Sequence, residues 1–239
     1  MSNVAGTLAA DSIAKIWLYR EKVEFEVSFL FAKLHEQLNE LEAPPFLLDL
    51  VAKAKDDELE HAAMCRRIVV SLNPALQALP LDLRELQMPT ADWSSNQKAL
   101  YTSVALSCIT ETFSTALLLE MRKHSRNILV KQTIRKILKD EIEHSRIGWA
   151  HLAWANSQQQ ELAWLGDWIP GMVQASLQGK STLYAKISEE HETFGILMIE
   201  RSQRLIHKTF CEVIAPGLQL YGIATGPALA LLERQNISS

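Results

Sequence analysis

The sequence predicts an all-α protein: a bundle of four long helices, a long crossover between the second and third, and additional helices at the C-terminal end. Three observations carry this expectation. Apolar residues recur in steps of three and four over four long stretches, the period of a helix with one buried face. The string Asp-Glu-Leu-Glu-His at 57–61 returns as Asp-Glu-Ile-Glu-His at 140–144, and both copies fall on the apolar stripe of their helix. Between 73 and 95, Pro74, Pro80 and Pro89 punctuate a segment with no sustained period. A crossover of that kind is needed when two neighbouring helices run parallel.

The first helix is expected over Asp11–Leu41, capped by Asp11 or Ser12. Its stripe reads Trp17, Glu21, Glu24, Val27, Phe31, Leu34, Leu38 and Leu41, with Phe25, Phe29 and Ala32 widening the buried face. Glu24 is the carboxylate most firmly in phase with the core. Glu42-Ala-Pro-Pro stops this helix, and Pro45 opens the second, which runs to about Ser71. There the stripe is Leu47, Val51, Ala54, Glu58, His61, Cys65, Ile68 and Leu72. Asp92 or Ser94 opens the third helix, with Leu100, Val104, Ser107, Glu111, Ser114, Leu118 and Met121 in phase. Small residues crowd Glu111, and Ser107 and Ser114 are read as lining either a cavity or a close helix contact. The fourth helix spans Asn127–Ala155 along Val130, Ile134, Ile137, Glu141, His144, Gly148, His151 and Ala155. Gly148 in mid-helix costs about 1 kcal/mol relative to alanine, so it is expected to admit a neighbouring side chain or a ligand.

The whole chain, 1–239, is read as one domain, with the bundle over 11–156 and a helical extension over 157–239 packed on it. In the extension Pro170-Gly171 reads as a turn and Ser181–Val213 as a further helix. His191 reads as part of an exposed charge cluster. The tryptophans at 149, 154, 164 and 168 read as core packing by default.

Composition narrows the function classes. The chain is 48% hydrophobic and 22% charged with a net charge of −4, an ordinary globular balance with no basic patch for nucleic acid. Three dispersed cysteines and no Cys-x-x-Cys argue against a disulfide scaffold or a cysteine-bound zinc, and fit a reducing cytoplasm. Met1–Ala10 does not read as a signal peptide. Val213–Leu232 is uncharged and long enough to cross a bilayer. Its two prolines and three glycines favour a buried loop and a short packed helix instead, so no membrane association is expected.

The repeat carries the chemistry. Glu58 precedes His61 by three residues, and Glu141 precedes His144 likewise. A three-residue step rises about 4.5 Å and keeps both side chains on one helix face. That spacing suits a carboxylate and an imidazole on one metal ion, and two such helices facing each other suit two ions. A carboxylate buried without a partner costs several kcal/mol or becomes neutral, so chance placement of all these groups on core stripes is disfavoured. A plain helical bundle with buried ion pairs is the alternative.

A lone core glutamate on helices one and three, with Glu-x-x-His on helices two and four, resembles the ferritin-like di-iron carboxylate proteins, whose constellation is well described. The stretch from Leu41-Glu-Ala-Pro-Pro through Asp57-Glu58 to His61-Ala62 is similar to a group of bacterial ferritin-like proteins, and more distantly to the arylamine N-oxygenase branch. The resemblance implies that Glu24 and Glu111 are terminal ligands, that Glu58 and Glu141 bridge two ions, and that His61 and His144 each bind one. It implies that Asp57 and Asp140 accept hydrogen bonds from the ligand histidines. Glu60 and Glu143 stand where the family often has arginine, which leaves the support of those aspartates open. Thr115 is similar in position to a threonine beside the oxygen site of related monooxygenases. Glu21, one turn before Glu24, is an alternative ligand.

Four carboxylates and two imidazoles suit two iron ions, with manganese or a mixed pair as alternatives. The expected activity is that of an oxidoreductase, an oxidase or oxygenase using dioxygen to oxidise a small organic substrate. An external reductase or ferredoxin would supply electrons, and a homodimer is the default assembly. The rivals are a ferroxidase or iron-storage protein, a di-manganese catalase-like enzyme, and a non-catalytic helical protein that binds a partner through its tryptophan-rich segment.

Overall fold

The structure, a computed structural model, describes residues 2–81, 92–177 and 187–237. The described residues are helical throughout, with no strand among them. Four long helical runs pack against one another: α1 (Ser2–Glu40), α2 (Pro45–Leu72), a composite run, and α5 (Ile128–Ser157). The composite run is α3 (Ser95–Ser103), a π-helical segment (Val104–Glu111) and α4 (Thr112–His124).

Local chemistry explains the ends. Glu42 adopts a positive φ of 53° between α1 and the Pro44-Pro45 start of α2. Ser94, not Asp92, caps α3 through a capping box with Gln97. The Asn127 side chain accepts from the Val130 backbone N–H at 3.1 Å and opens α5. Part of the expected crossover, 82–91, lies outside the described residues.

The expected single period through helix three fails at Val104–Glu111. Thr110 and Thr112 each donate a side-chain hydrogen bond to the carbonyl five residues earlier, at 2.9 and 3.4 Å, within this wider turn. The π turn buries Leu106, Ser107, Cys108 and Ile109 in succession, which no α-helical face does. Gly148 on α5 makes room for it. A Cβ there would lie 2.5 Å from Cys108 Sγ and 2.6 Å from the Ser103 carbonyl oxygen. Of the two readings of Gly148, the neighbouring segment is what it admits.

Two apolar clusters flank the middle of the four runs. One gathers Ile13, Trp17, Cys65, Ile68, Leu118, Ile134 and Ile137. The other gathers Val27, Phe31, Leu34, Val51, Ala54, Leu106 and Ile147. Phe25 and Phe29 do not join either: they are 37% and 41% exposed and contact each other on the outside of α1. A row next to the stripe on a helix faces the boundary, not the core, and here no element among the described residues covers it.

The extension differs from expectation in three places. Pro170-Gly171 lies in the first turn of α6 (Ile169–Leu177), where proline is tolerated. The helix expected over 181–213 is not continuous among the described residues. Residues 178–186 lie outside the described set, α7 covers only Glu189–Thr193, and α8 (Ile199–Thr209) then runs through a second π turn into α9 (Ala215–Gln219). Gly195, at φ +74°, ends α7, with Gly195 N–H donating to the Glu192 carbonyl and Ile196 N–H to that of His191. His191 is buried, not exposed, between Ser188 and Ser12. The uncharged stretch 213–232 is broken between α9 and α10 (Gly226–Ile237).

Elements from Leu162 to Leu232 pack on Leu100, Val104, Cys108 and Leu152. Trp164 and Trp168 meet Trp93, with ring centroids 5.3 and 4.8 Å apart. Among the described residues one helical run, Ser95–His124, is long and apolar enough to cross a membrane, and 61% of its apolar window is buried within the protein.

Candidate metal centre

Between the two apolar clusters each run contributes its out-of-character residues. Glu24 comes from α1, Glu58 and His61 from α2, Glu111 from the end of the π turn, and Glu141 and His144 from α5. All six are buried, none more than 5% exposed. Their ligand atoms form two groups, each within 4.8 Å: Glu24, Glu58, His61 and Glu141, and Glu58, Glu111, Glu141 and His144. Glu58 and Glu141 belong to both. Each group adds one glutamate and one histidine of its own.

The fit to metal rests on orientation. His144 Nδ1 lies 2.8 Å from Glu58 Oε1 and 3.3 Å from Glu141 Oε2. Despite this closeness, His144 Nδ1, Glu58 Oε1, Glu141 Oε2 and Glu111 Oε1 have no hydrogen-bond partner. Buried polar atoms are nearly always paired. Atoms that approach one another without hydrogen-bond geometry suit a shared centre. Buried Glu and His groups of this kind can hold metal ions.

The histidines turn Nδ1 inward and Nε2 outward. His61 Nε2 lies 3.1 Å from Asp140 Oδ2, and His144 Nε2 lies 3.2 Å from Asp57 Oδ2. Each repeat thus supplies the aspartate that holds the other repeat's histidine. Lysines support these aspartates in turn. Lys53 donates to Asp57 at 2.9 Å and to Glu143 at 2.8 Å. Lys136 donates to Asp140 at 2.7 Å and pairs with Glu60 at 3.2 Å. The repeated unit is therefore Lys-x-x-x-Asp-Glu-x-Glu-His, each copy's lysine tying its own aspartate to the other copy's glutamate. The signal was present as a lysine four residues before each aspartate, but a lysine on a helix most often faces solvent. Replacing Lys53 or Lys136 by methionine is expected to weaken metal affinity about 10–100-fold, as loss of a partner behind a ligand does. Competition with a chelating dye measures this, and unchanged affinity would show that the lysines only solubilise the surface.

Electrostatics follow from burial of like charges. Burial raises the Glu24 carboxyl to about 7 against the pull of Arg20, with Glu58 and Glu141 adding to the rise. Burial and the neighbouring Glu141 push Glu111 well up. Glu141 goes the other way, to about 2: burial raises it, but the adjoining Glu111 and His144 and the charge of His61 outweigh that. His61 and His144 are pulled down by burial, but the adjoining carboxylates of Glu58 and Glu141 raise them to about 9 and about 10. Without metal the centre therefore retains protons at neutral pH.

Other expected residues divide. Ser114 Oγ donates to Glu141 Oε1 at 3.3 Å, so it touches the centre. The Ser107 and Thr115 hydroxyls are buried without a partner. Gly148 is occupied by Cys108 and lines no free space. Glu21 belongs to neither group: Arg66 holds it at 2.9 and 3.0 Å. His151, in phase with the stripe of its helix, is fully buried, 2.7 Å from Ser103 Oγ and stacked on Trp154. Arg20, whose Nε donates to Glu24 at 2.8 Å, was not anticipated.

Comparison with protein-family models, curated proteins and solved structures returns no match for this chain.

Proposed function

We propose that this protein is a ferritin-like di-iron oxidoreductase that uses dioxygen to oxidise a small organic molecule. The single observation that carries the reading is the pair of buried ligand groups sharing Glu58 and Glu141. Four oxygen donors and two imidazoles form a hard, mixed set suited to divalent iron. Glu58 and Glu141 would hold both ions, with Glu24 and His61 completing one and Glu111 and His144 the other. When bound, such a pair supplies the electrons that activate dioxygen.

The chain's own residues would do the rest. Asp57 and Asp140 would accept the histidine Nε2 protons and so leave each Nδ1, which faces the glutamates, to a metal. Arg20 anchors Glu24, while Glu111, at the end of the π turn, leaves Oε1 without a partner for a metal to take up. The apolar clusters on both sides exclude water from the reacting centre. The long helical extension favours a substrate-oxidising role over storage, which a shorter bundle serves.

The test is oxygen reactivity. Anaerobic ferrous protein mixed with dioxygen in a stopped-flow instrument is expected to consume it faster than free ferrous iron does. The Glu58→Ala variant is expected to lose that advantage. Wild-type protein no faster than free iron would overturn the oxidoreductase reading.

A further inference from the structure

Resting on the metal reading above, we propose that Arg20 weakens the hold of the Glu24–His61 position on its ion. The two positions then load in order, Glu111–His144 first and Glu24–His61 second.

The repeat isolates the cause. Glu58 and Glu141 belong to both ligand groups, so they favour neither. The histidine sides match. His61 Nε2 lies 3.1 Å from Asp140, to which Lys136 donates at 2.7 Å. His144 Nε2 lies 3.2 Å from Asp57, to which Lys53 donates at 2.9 Å. What differs is the glutamate that each group has to itself. Arg20 Nε donates to Glu24 Oε1 at 2.8 Å. Among the described residues no lysine or arginine pairs with Glu111, whose Oε1 has no partner and whose carboxyl adjoins that of Glu141.

Charge then sets the order. Both glutamates are buried, and the Arg20 side chain is only 21% exposed, so water screens it poorly. A guanidinium keeps its charge at any working pH. This one is also held in place, with Nη1 3.6 Å from the Met121 sulfur and the guanidinium 5.8 Å from the Trp17 ring. A divalent ion on Glu24 competes with Arg20 for one carboxylate and stands close to its fixed positive charge. An ion on Glu111 meets neither obstacle. Burial holds a proton on Glu24 and Arg20 eases its loss, which favours metal. A proton carries one charge and the ion two, so repulsion of the ion outweighs that gain. A chain offered a single ion therefore holds it at Glu111 and His144, and the ion at Glu24 and His61 is the one that exchanges.

The experiment starts from metal-free full-length protein. Crystals grown with one manganese per chain locate the ion by anomalous scattering, and calorimetric titration with manganese gives both dissociation constants. The ion is expected at Glu111 and His144, with little at Glu24 and His61. Arg20→Gln keeps a donor for Glu24 without the charge, and is expected to tighten the second constant about tenfold or more and leave the first near wild type. Arg20→Lys keeps the charge and is expected to behave as wild type. An arginine that only positioned Glu24 would act the other way, its loss loosening the second ion. Equal occupancy of the two positions, the single ion at Glu24 and His61, or a second constant unchanged or weaker in Arg20→Gln would overturn the proposal and leave the metal centre standing. Locating the ion needs no variant, so it decides even if Arg20→Gln does not fold. Wild-type protein that takes up neither manganese nor iron would overturn both.

Discussion

Alanine at Glu58 is expected to cost the protein both metal ions, whereas alanine at Glu24 or Glu111 is expected to weaken one. The asymmetry follows from membership: Glu58 and Glu141 each enter both ligand groups, while Glu24 and Glu111 each enter one. Loss of a direct ligand should exceed the roughly 10–100-fold cost of losing a partner behind one. Titration of metal-free protein with manganese, followed calorimetrically, should show two sites in wild type. One strong site should persist in Glu24→Ala and in Glu111→Ala, and none in Glu58→Ala. Removing a carboxylate from a crowded metal-free cluster also relieves repulsion, so Glu58→Ala without metal is expected to remain folded. Equal losses in all three variants would mean that the centre binds metal as one indivisible unit or not in this arrangement.

Metal should also reverse the way stability depends on pH. His61, His144, Glu24 and Glu111 all have folded-state pKa values above their ordinary ones. A group raised in this sense stabilises the fold below its unfolded value, and that contribution is lost as pH rises through the folded value. The loss begins in the carboxylate range, passes Glu24 near 7 and ends with the histidines at about 9 and 10. Glu141, held at about 2, acts in the opposite sense and only on the acid side. Metal-free protein should therefore melt at falling temperatures from pH 6 to pH 9.5. Metal displaces those protons, so uptake at pH 7 releases them, and affinity rises with pH. An ion present at a thousandfold over its dissociation constant adds about 4 kcal/mol per site, or about 8–16 °C at about 2–4 °C per kcal/mol for a chain of this size. Melting curves with and without manganese across that range test this. A metal-free melting temperature that climbs toward pH 9.5 would contradict the proton assignment.

Much of this was legible in the residues because burial and period reinforce each other. Glu24, Glu58, Glu111 and Glu141 interrupt apolar stripes, and a helix offers no route for such groups to reach water. The same logic failed where long-range packing decides. Val104–Glu111 satisfies a 3.6-residue count, and its widening into a π turn depends on space that Gly148 opens from another helix. Phe25 and Phe29 are exposed because no element among the described residues packs over them. The turn at Gly195 was readable locally, as a glycine following Thr-Phe, but the apolar spacing on either side suggested a continuous helix. The lysines of the repeat were visible, and only the fold shows that each reaches across to the opposite copy.

The most direct test of the central claim is metal content. Protein purified without added metal, reconstituted anaerobically with ferrous iron and desalted, would be analysed for iron against protein concentration. The expected result is two irons per chain, one for each ligand group. A chain that retains neither iron nor manganese under these conditions would contradict the account. The paired Lys-x-x-x-Asp-Glu-x-Glu-His repeats would then be a buried hydrogen-bonded network and nothing more.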